Sequence, residues 1–142
     1  MARKTNSRQH RWHVLIAEDD PQLKSELLSL LKPYANCKSA VNGEEALKIY
    51  HQSPAPFDFI LLDVTMPVID GFEVLKMIRQ NEEEQHRPPE ECARIIILTA
   101  FKDSLMENYN LGWNEFITKP VDFTILLKKM KEANLRPRPL KS

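Results

Sequence analysis

The sequence has no apolar run near the roughly 20 residues that a helix needs to cross a bilayer, so we expect no membrane span. Residues 1–13 are polar and basic and contain no apolar stretch typical of a secretory signal. Cysteine is scarce: Cys37 and Cys92 stand alone in unrelated surroundings, which argues against a disulfide framework and a zinc cluster. No internal repeat or low-complexity segment occurs. These absences predict a cytoplasmic globular protein with reduced thiols.

Acidic residues are missing from both ends of the chain. The net charge is zero, but residues 1–13 and 134–142 hold seven basic residues and no acid, so all 20 acids lie between them. Basic ends can contact nucleic acid or another anionic partner, and solvated tails that aid solubility are an equally good interpretation. With 142 residues the chain can form one domain with its own core. We place this domain at 13–133, between a basic tail at 1–12 and another at 134–142.

Short apolar runs alternate with helical patterns through this domain. The expected strands cover 13–17, 38–41, 57–62, 95–98 and 115–118. Amphipathic helices lie between them, the first capped by Asp20 and started by Pro21. Less regular parts are a loop at 64–71, an exposed charged connection at 81–93 and a short helix at 103–111. Alternation of apolar strands with helices, repeated five times, predicts an α/β fold whose parallel sheet is covered on both faces.

Polar side chains follow four of the five apolar runs, at the point where each run ends. They are Glu18, Asp19 and Asp20 after the first run, Asp63 after the third, Thr99 after the fourth and Lys119 after the fifth. In an open parallel sheet, ligands bind outside the carboxyl ends of the strands. Taken singly, each of these residues is more often a solvated loop residue, a helix cap or a β-former. Together they predict one site with three carboxylates, a hydroxyl and an ammonium group.

The charges of such a site point to a metal and to a reaction. Two carboxylates 4 Å apart repel each other by about 4 kcal/mol at an effective dielectric constant near 20, so one of the three would stay protonated without a cation. Oxygen ligands of this kind suit Mg²⁺. A carboxylate beside the metal and an ammonium opposite it are suited to in-line phosphoryl transfer onto the carboxylate.

Four motifs occur in the order found in response-regulator receiver domains, which the sequence resembles over about 13–133. They are Val-Leu-Ile-Ala-Glu-Asp-Asp-Pro (14–21), Leu-Leu-Asp-Val-Thr-Met-Pro-Val-Ile-Asp-Gly (61–71), Ile-Leu-Thr-Ala (97–100) and Phe-Ile-Thr-Lys-Pro (116–120). The resemblance implies a flavodoxin-like (βα)5 fold with a doubly wound five-stranded parallel sheet in the order 2-1-3-4-5.

The resemblance also implies a role for each site residue. Asp63 matches the phosphoacceptor, and Glu18 and Asp19 match the acidic pair that holds Mg²⁺ together with Asp63. Thr65 matches the position whose backbone carbonyl completes the metal site. Glu18 stands where an aspartate is more usual in the family, a departure that bears on metal affinity.

Two further residues match the family's switch. Thr99 matches the hydroxyl that moves toward the phosphoryl group, and Lys119 matches the lysine that pairs with it. Phe116 occupies the position of the switch aromatic, where tyrosine is common, and a phenylalanine cannot donate a hydrogen bond. The bond between Lys119 and Pro120 matches a peptide bond that is often cis in the family, as X–Pro energetics permit.

The function implied is that of a phosphoacceptor in a two-component phosphorelay. We expect a histidine kinase or histidine phosphotransfer domain as donor, and a downstream protein that is contacted in trans through the fourth predicted helix, the fifth strand and the fifth helix. The protein would promote only its own phosphorylation and dephosphorylation, so it is not expected to be an enzyme. We expect no membrane partner and no main role in nucleic-acid binding.

Two other function classes stay open. A phosphorylation-independent interaction module could use the same fold, although the intact acidic, acceptor, threonine and lysine positions argue against it. A metal-dependent phosphatase with an aspartyl intermediate ranks last, because such enzymes usually carry a second acid two residues after the nucleophile, where this chain has Thr65.

Overall fold

Five parallel strands form one sheet in the computed structural model, which describes residues 11–66, 68–101 and 111–135. The strands are β1 (Trp12–Ala17), β2 (Ala35–Ala40), β3 (Phe59–Asp63), β4 (Arg94–Thr99) and β5 (Glu115–Thr118). Their spatial order is β2-β1-β3-β4-β5. The predicted flavodoxin-like α/β fold is therefore confirmed.

Four helices connect or follow the strands in the described part of the chain. They are α1 (Pro21–Leu31), α2 (Gly43–Gln52), α3 (Gly71–Glu84) and the C-terminal helix (Phe123–Leu135), with a 3₁₀ turn at Pro89–Glu91. The Asp20 side chain caps α1 as predicted, since its Oδ1 accepts a hydrogen bond from the Gln22 amide at 3.0 Å. Among the helices of the described residues, none has the length and apolarity needed to span a membrane. The helix predicted at 103–111 falls almost wholly on residues 102–110, outside the described residues.

The sheet separates two apolar clusters, which is why its central strands are apolar along their whole length. α1 and the C-terminal helix cover one face of the sheet, and α2 and α3 cover the other. The helical residues that are buried in these clusters are Leu27, Leu31, Leu126, Met130 and Ala133 on the first face and Ala46, Leu47, Tyr50, Val74, Leu75 and Ile78 on the second. β3 lies at the centre of the sheet, and every residue from Phe59 to Asp63 is buried.

The charged segment 81–93 was expected to be an exposed connection, and this expectation was wrong in part. Its first four residues complete α3, and Glu82 is only 2% exposed. The Glu82 carboxylate accepts hydrogen bonds from the Arg79 guanidinium at 2.6 Å and from the Ala93 amide at 2.8 Å. A carboxylate can be buried when it is paired in this way. Because most residues of the segment are polar or charged, the sequence did not distinguish buried Glu82 from its exposed neighbours.

Both ends of the described chain meet at the loop between α1 and β2. The Arg11 guanidinium donates hydrogen bonds to the carbonyl oxygens of Lys32 and Ala35, each at 2.7 Å. At the same loop, the Lys131 ammonium lies 4.8 Å from the centre of the Tyr34 ring. Arg11 therefore satisfies the carbonyl of Lys32, the C-cap of α1, and the carbonyl of Ala35 at the start of β2.

We expect Arg11→Met to lower the free energy of unfolding by about 1–2 kcal/mol, because the substitution keeps an apolar side chain but removes the charged hydrogen bonds. Urea denaturation measures the change. Lys48→Met is the matched control, since it removes an exposed positive charge from α2. Equal stabilities of the two variants would contradict this role of Arg11.

Candidate functional site

The register of the sheet gathers the predicted site residues at one edge. Ala17, the last residue of β1, pairs with Leu62, and Asp63 pairs with Leu98. Thr99 pairs with Thr118 at the next strand boundary. The polar residues that follow or end these strands are Glu18, Asp19, Asp63, Thr99 and Lys119. They lie together because the strands are parallel and end at the same level.

The three predicted carboxylates form a group that could hold a cation. Glu18, Asp19 and Asp63 each offer one oxygen, and these oxygens all lie within 4.8 Å of one another. Glu18 is fully buried and Asp63 is 1% exposed. Among the described residues, buried Glu18 Oε1 has the Lys119 ammonium at 3.1 Å as its charged partner but accepts no hydrogen bond of good geometry, so it can take a further partner. Three carboxylates with such a buried oxygen fit a hard divalent cation such as Mg²⁺.

Lys119 supplies the positive charge of the site. Its Nζ lies 3.1 Å from Glu18 Oε1 and 3.4 Å from Asp63 Oδ2. Burial alone would lower the pKa of Lys119, but the negative charges of Asp63 and Glu18 and their hydrogen bonds raise it above the usual value. The ammonium group therefore stays charged between the two buried carboxylates. The bond from Lys119 to Pro120 is cis, as the resemblance implied.

The carboxylates shift one another's protonation. Burial raises the pKa of Glu18 from 4.5 to about 7, and the negative charge of Asp63 adds to the rise, against the lowering effects of the Asp20 amide and Lys119. Burial also raises the pKa of Asp19, and the hydrogen bond that it shares with Asp63 raises it further. Without a cation, the group thus retains protons that isolated carboxyl groups would have lost.

The two oxygens of Asp63 have different surroundings. Oδ1 accepts hydrogen bonds from the Thr65 amide at 3.0 Å and from the Thr65 hydroxyl at 3.2 Å. Oδ2 faces the Lys119 ammonium. Thr65 is thus placed beside Asp63 as expected, while the role of its backbone carbonyl as a metal ligand stays a prediction.

The two residues predicted to form the switch, Thr99 and Phe116, lie on neighbouring strands. Thr99 is 1% exposed, and its Oγ1 accepts a hydrogen bond from the Phe101 amide at 2.9 Å. The hydroxyl proton of Thr99 can therefore be donated to another acceptor. Phe116 pairs with Ile97 and is half-buried, and its ring meets the Trp113 ring edge to face, with centroids 5.8 Å apart.

Two glycines shape the loop that carries Asp63, and sequence reasoning missed this role. A Cβ at Gly71 would overlap the carbonyl oxygen of Asp63, and a Cβ at Gly43 would overlap the carbonyl oxygen of Ile69. Val68, in the same loop, has a φ of 74°, which is a strained value for a β-branched residue. A glycine seven or eight residues after an acidic residue is common in protein sequences, so it could not by itself have indicated this role.

Comparison with known proteins decides the family. The family described as response regulator receiver domain matches residues 14–131, which is most of the chain. The chain belongs to this family. Receiver domains act as phosphoacceptor switches in two-component signalling and bind Mg²⁺ at an acidic pocket, and this receiver has the acidic group at the corresponding edge of its sheet.

Relatives of the receiver occur within longer proteins. The probable transcriptional regulator ycf27 of Cyanidium caldarium is 32% identical over 146 residues, which cover 96% of this chain and 53% of the relative. Hybrid signal transduction histidine kinase M of Dictyostelium discoideum is 34% identical over 125 residues, which cover 84% of this chain and 5% of the kinase. The receiver thus spans about half of the first relative and a small part of the second.

A solved structure with the same fold contains a phosphotransfer protein. It is the complex of the Saccharomyces cerevisiae histidine phosphotransfer signaling protein Ypd1 with the receiver domain of its downstream response regulator Ssk1. The similarity has a TM-score of 0.75 and 31% identity, and it covers 86% of this chain and 88% of that chain.

In EDTA, the receiver should lose stability as the pH rises from 4.5 to about 7, because folded Glu18 holds its proton over a range in which unfolded Glu18 has lost it. This stabilisation is fully present below 4.5 and is lost above about 7, and it amounts to on the order of 3 kcal/mol. Urea denaturation across this range measures it. Glu18→Gln should leave only the dependence that Asp19, whose pKa is also raised, contributes, and Mg²⁺ should restore stability at high pH. A slope as steep in Glu18→Gln as in the wild type would disprove the assignment.

Gly71→Ala should push the backbone of Asp63 out of place. We expect it to lower the free energy of unfolding by about 1–3 kcal/mol and to weaken Mg²⁺ binding roughly tenfold, since residues that orient metal ligands have effects of that size. Denaturation and calorimetric titration with Mg²⁺ measure the two effects. Lys76→Ala, on the exposed side of α3, should leave Mg²⁺ affinity unchanged. A Gly71→Ala protein that binds Mg²⁺ normally would show that the close contact is unimportant.

Proposed function

We propose that this receiver accepts a phosphoryl group from a phosphohistidine onto Asp63, in a reaction that depends on Mg²⁺. The observation that carries the proposal is the position of Asp63 Oδ2. This oxygen faces Lys119 at 3.4 Å, and Glu18 and Asp19 lie on the same edge close enough to share a cation with Asp63. A phosphoryl group on Asp63 would therefore lie among positive charges, which is the main requirement for stabilising its transfer.

Asp63 Oδ2 is the oxygen that we assign as the nucleophile. Oδ1 already accepts two hydrogen bonds from Thr65. These hydrogen bonds occupy its lone pairs and make Oδ1 the less available nucleophile. Oδ2 attacks the phosphorus atom, the new O–P bond forms, and the P–N bond to the donor histidine breaks. The imidazole nitrogen keeps the electron pair of that bond and takes up a proton. Lys119 then donates to an oxygen of the transferred group and balances its charge.

Glu18, Asp19, Asp63 and the backbone carbonyl of Thr65 are the proposed Mg²⁺ ligands. When bound, the cation neutralises the carboxylates and the phosphoryl oxygens. Glu18 Oε1, which lies 3.1 Å from the Lys119 ammonium but accepts no hydrogen bond of good geometry from the described residues, supports this assignment. Burial raises the pKa of Glu18, and a bound cation would favour the charged form that burial disfavours.

Phosphorylation is proposed to change the surface through Thr99 and Phe116. Thr99 can donate its hydroxyl proton to a phosphoryl oxygen. Phe116, which pairs with Ile97 on β4, two residues before Thr99, can rotate into the space that Thr99 leaves. The surface built on β5 and its neighbouring helices then favours a different partner, as a population shift.

The proposed donor is a histidine kinase or a histidine phosphotransfer domain, and the proposed reader is a downstream protein contacted in trans. A kinase relative and a receiver solved with a phosphotransfer protein support the donor class. We propose the cytoplasm as the location. Residues 13–133 are proposed as the signalling unit, and the basic segments 1–12 and 134–142 as tails.

The decisive experiment is intact-mass measurement after incubation with acetyl phosphate, with Mg²⁺ or with EDTA. We expect one phosphoryl adduct on the wild type with Mg²⁺ and none with EDTA. Asp63→Asn should give no adduct, because the amide is a poor nucleophile. Lys119→Gln should slow formation on the order of 10²-fold, the usual effect of removing one donor that stabilises a transition state.

Asp122→Asn is the matched control, because Asp122 caps the C-terminal helix with a side-chain oxygen that asparagine retains. It should be phosphorylated like the wild type. An adduct on Asp63→Asn would place the acceptor elsewhere. If the wild type accepts no phosphoryl group from acetyl phosphate or from a phosphorylated phosphotransfer domain, the proposal is wrong and a phosphorylation-independent interaction module becomes the better account.

A further inference from the structure

The guanidinium of Arg79, on α3, makes three hydrogen bonds at once. Nη1 donates to Glu82 Oε1 at 2.6 Å, Nε donates to the carbonyl oxygen of Gly112 at 2.9 Å, and Nη2 donates to Asn114 Oδ1 at 2.9 Å. The Arg79 side chain is 22% exposed and that of Glu82 is 3% exposed. These contacts lie at the edge of the sheet where β4 and β5 begin, away from the acidic group. We call Arg79, Glu82, Gly112 and Asn114 the arginine clamp.

The arginine clamp is fixed to the start of β4 on both sides. Glu82 Oε2 accepts a hydrogen bond from the Ala93 amide at 2.8 Å, and Asn114 Oδ1 accepts one from the Ile95 amide at 2.7 Å. The stem of Arg79 packs closely on Gly112, where a Cβ would lie 3.2 Å from Arg79 Cγ. Both the aliphatic part and the guanidinium group of the Arg79 side chain are therefore held in place.

Trp113 lies between the two clamped residues in the chain. With the Gly112 carbonyl and the Asn114 side chain both bound to Arg79, the backbone on each side of Trp113 is fixed. The Trp113 ring meets the Phe116 ring edge to face at 5.8 Å, with an interplanar angle of 87°, which is a favourable arrangement of two aromatic rings. The arginine clamp is thus connected to Phe116 through one intermediate side chain, that of Trp113.

We propose that Arg79 is a positioning residue for the switch, which holds Trp113 against Phe116 and so stabilises the resting orientation of Phe116. The inference rests on the proposed function, in which Phe116 rotates inward after phosphorylation. Inward rotation breaks the contact between Phe116 and Trp113. A clamp that keeps Trp113 in place therefore shifts the equilibrium toward the resting state, and a loosened clamp shifts it toward the active state.

The test uses beryllofluoride with Mg²⁺ as a mimic of the phosphoryl group on the full chain. Arg79→Lys keeps the charge beside Glu82 but lacks the planar fork that binds Gly112 and Asn114. We expect it to bind beryllofluoride about three- to tenfold more tightly, since less of the binding energy is used to reach the active state. Arg87→Lys is the matched control, because the Arg87 guanidinium contacts Tyr50 and Gln85 but not the clamp, and its affinity should not change.

Fluorine NMR of the fluorotryptophan-labelled protein reports the position of Trp113 directly. In Arg79→Lys without ligand, we expect the Trp113 signal to move toward its position in beryllofluoride-bound wild type. The Trp12 signal is the internal control, because Trp12 lies in β1 against Tyr34 and Phe59. A residue that served stability alone would alter the unfolding transition and leave the Trp113 signal in place.

Trp113→Ala completes a double-mutant cycle. It should tighten beryllofluoride binding by itself, and Arg79→Lys should add nothing in that background, because both changes remove the same restraint. Additive effects, or a Trp113→Ala protein with wild-type affinity, would overturn the inference. Failure of the wild type to bind beryllofluoride would overturn the proposed function as well, whereas unchanged affinity in Arg79→Lys alone would leave the proposed function intact.

Discussion

Glu18 and Asp63 are two buried carboxylates at the ends of adjacent strands, and their mutual repulsion governs the site. The parallel register of β1 and β3 forces them to the same edge of the sheet. Lys119 lies within 3.4 Å of both and offsets part of the repulsion. Burial, with the negative charge of Asp63 adding to its effect, still raises the pKa of Glu18. A divalent cation, and later a phosphoryl group, would enter a site that already has an excess of negative charge on one side and a fixed ammonium on the other.

α3 connects this site to the aromatic pair at the other end of the sheet. Its first residue, Gly71, is in close contact with the backbone of Asp63. Two turns further on, Arg79 holds the residues on either side of Trp113. A helix is a stiff element, so the loop after Asp63 and the contacts on either side of Trp113 are attached to one rigid body. In the proposed function, the helix that positions Asp63 would thereby also influence how readily Phe116 reorients.

The edge strand β2 was expected at 38–41 but covers Ala35–Ala40, because its partly exposed residues form no apolar run. The other strands and the residues that follow them could be predicted, because buried parallel strands are apolar throughout and polar side chains mark their ends clearly. Asp63, Thr99 and Lys119 were found by that contrast, and the structure brings them to one edge. Arg79 and Glu82 were not found, because they lie in a charge-rich stretch where an exposed residue and a buried one look alike. Gly112 and Asn114, the partners of Arg79, lie 33 and 35 residues further along the chain, a separation over which no periodic pattern extends.

Arg11 and Lys131, near the two ends of the described chain, both contact the loop between α1 and β2. This loop lies where the strands begin, on the side of the sheet away from Asp63. A domain with neighbouring ends can be inserted into a loop of another protein, or circularly permuted, with little distortion of either part. Attachment to a larger polypeptide of any size at this point would leave the edge of the sheet that carries Asp63 open to the proposed phosphoryl donor.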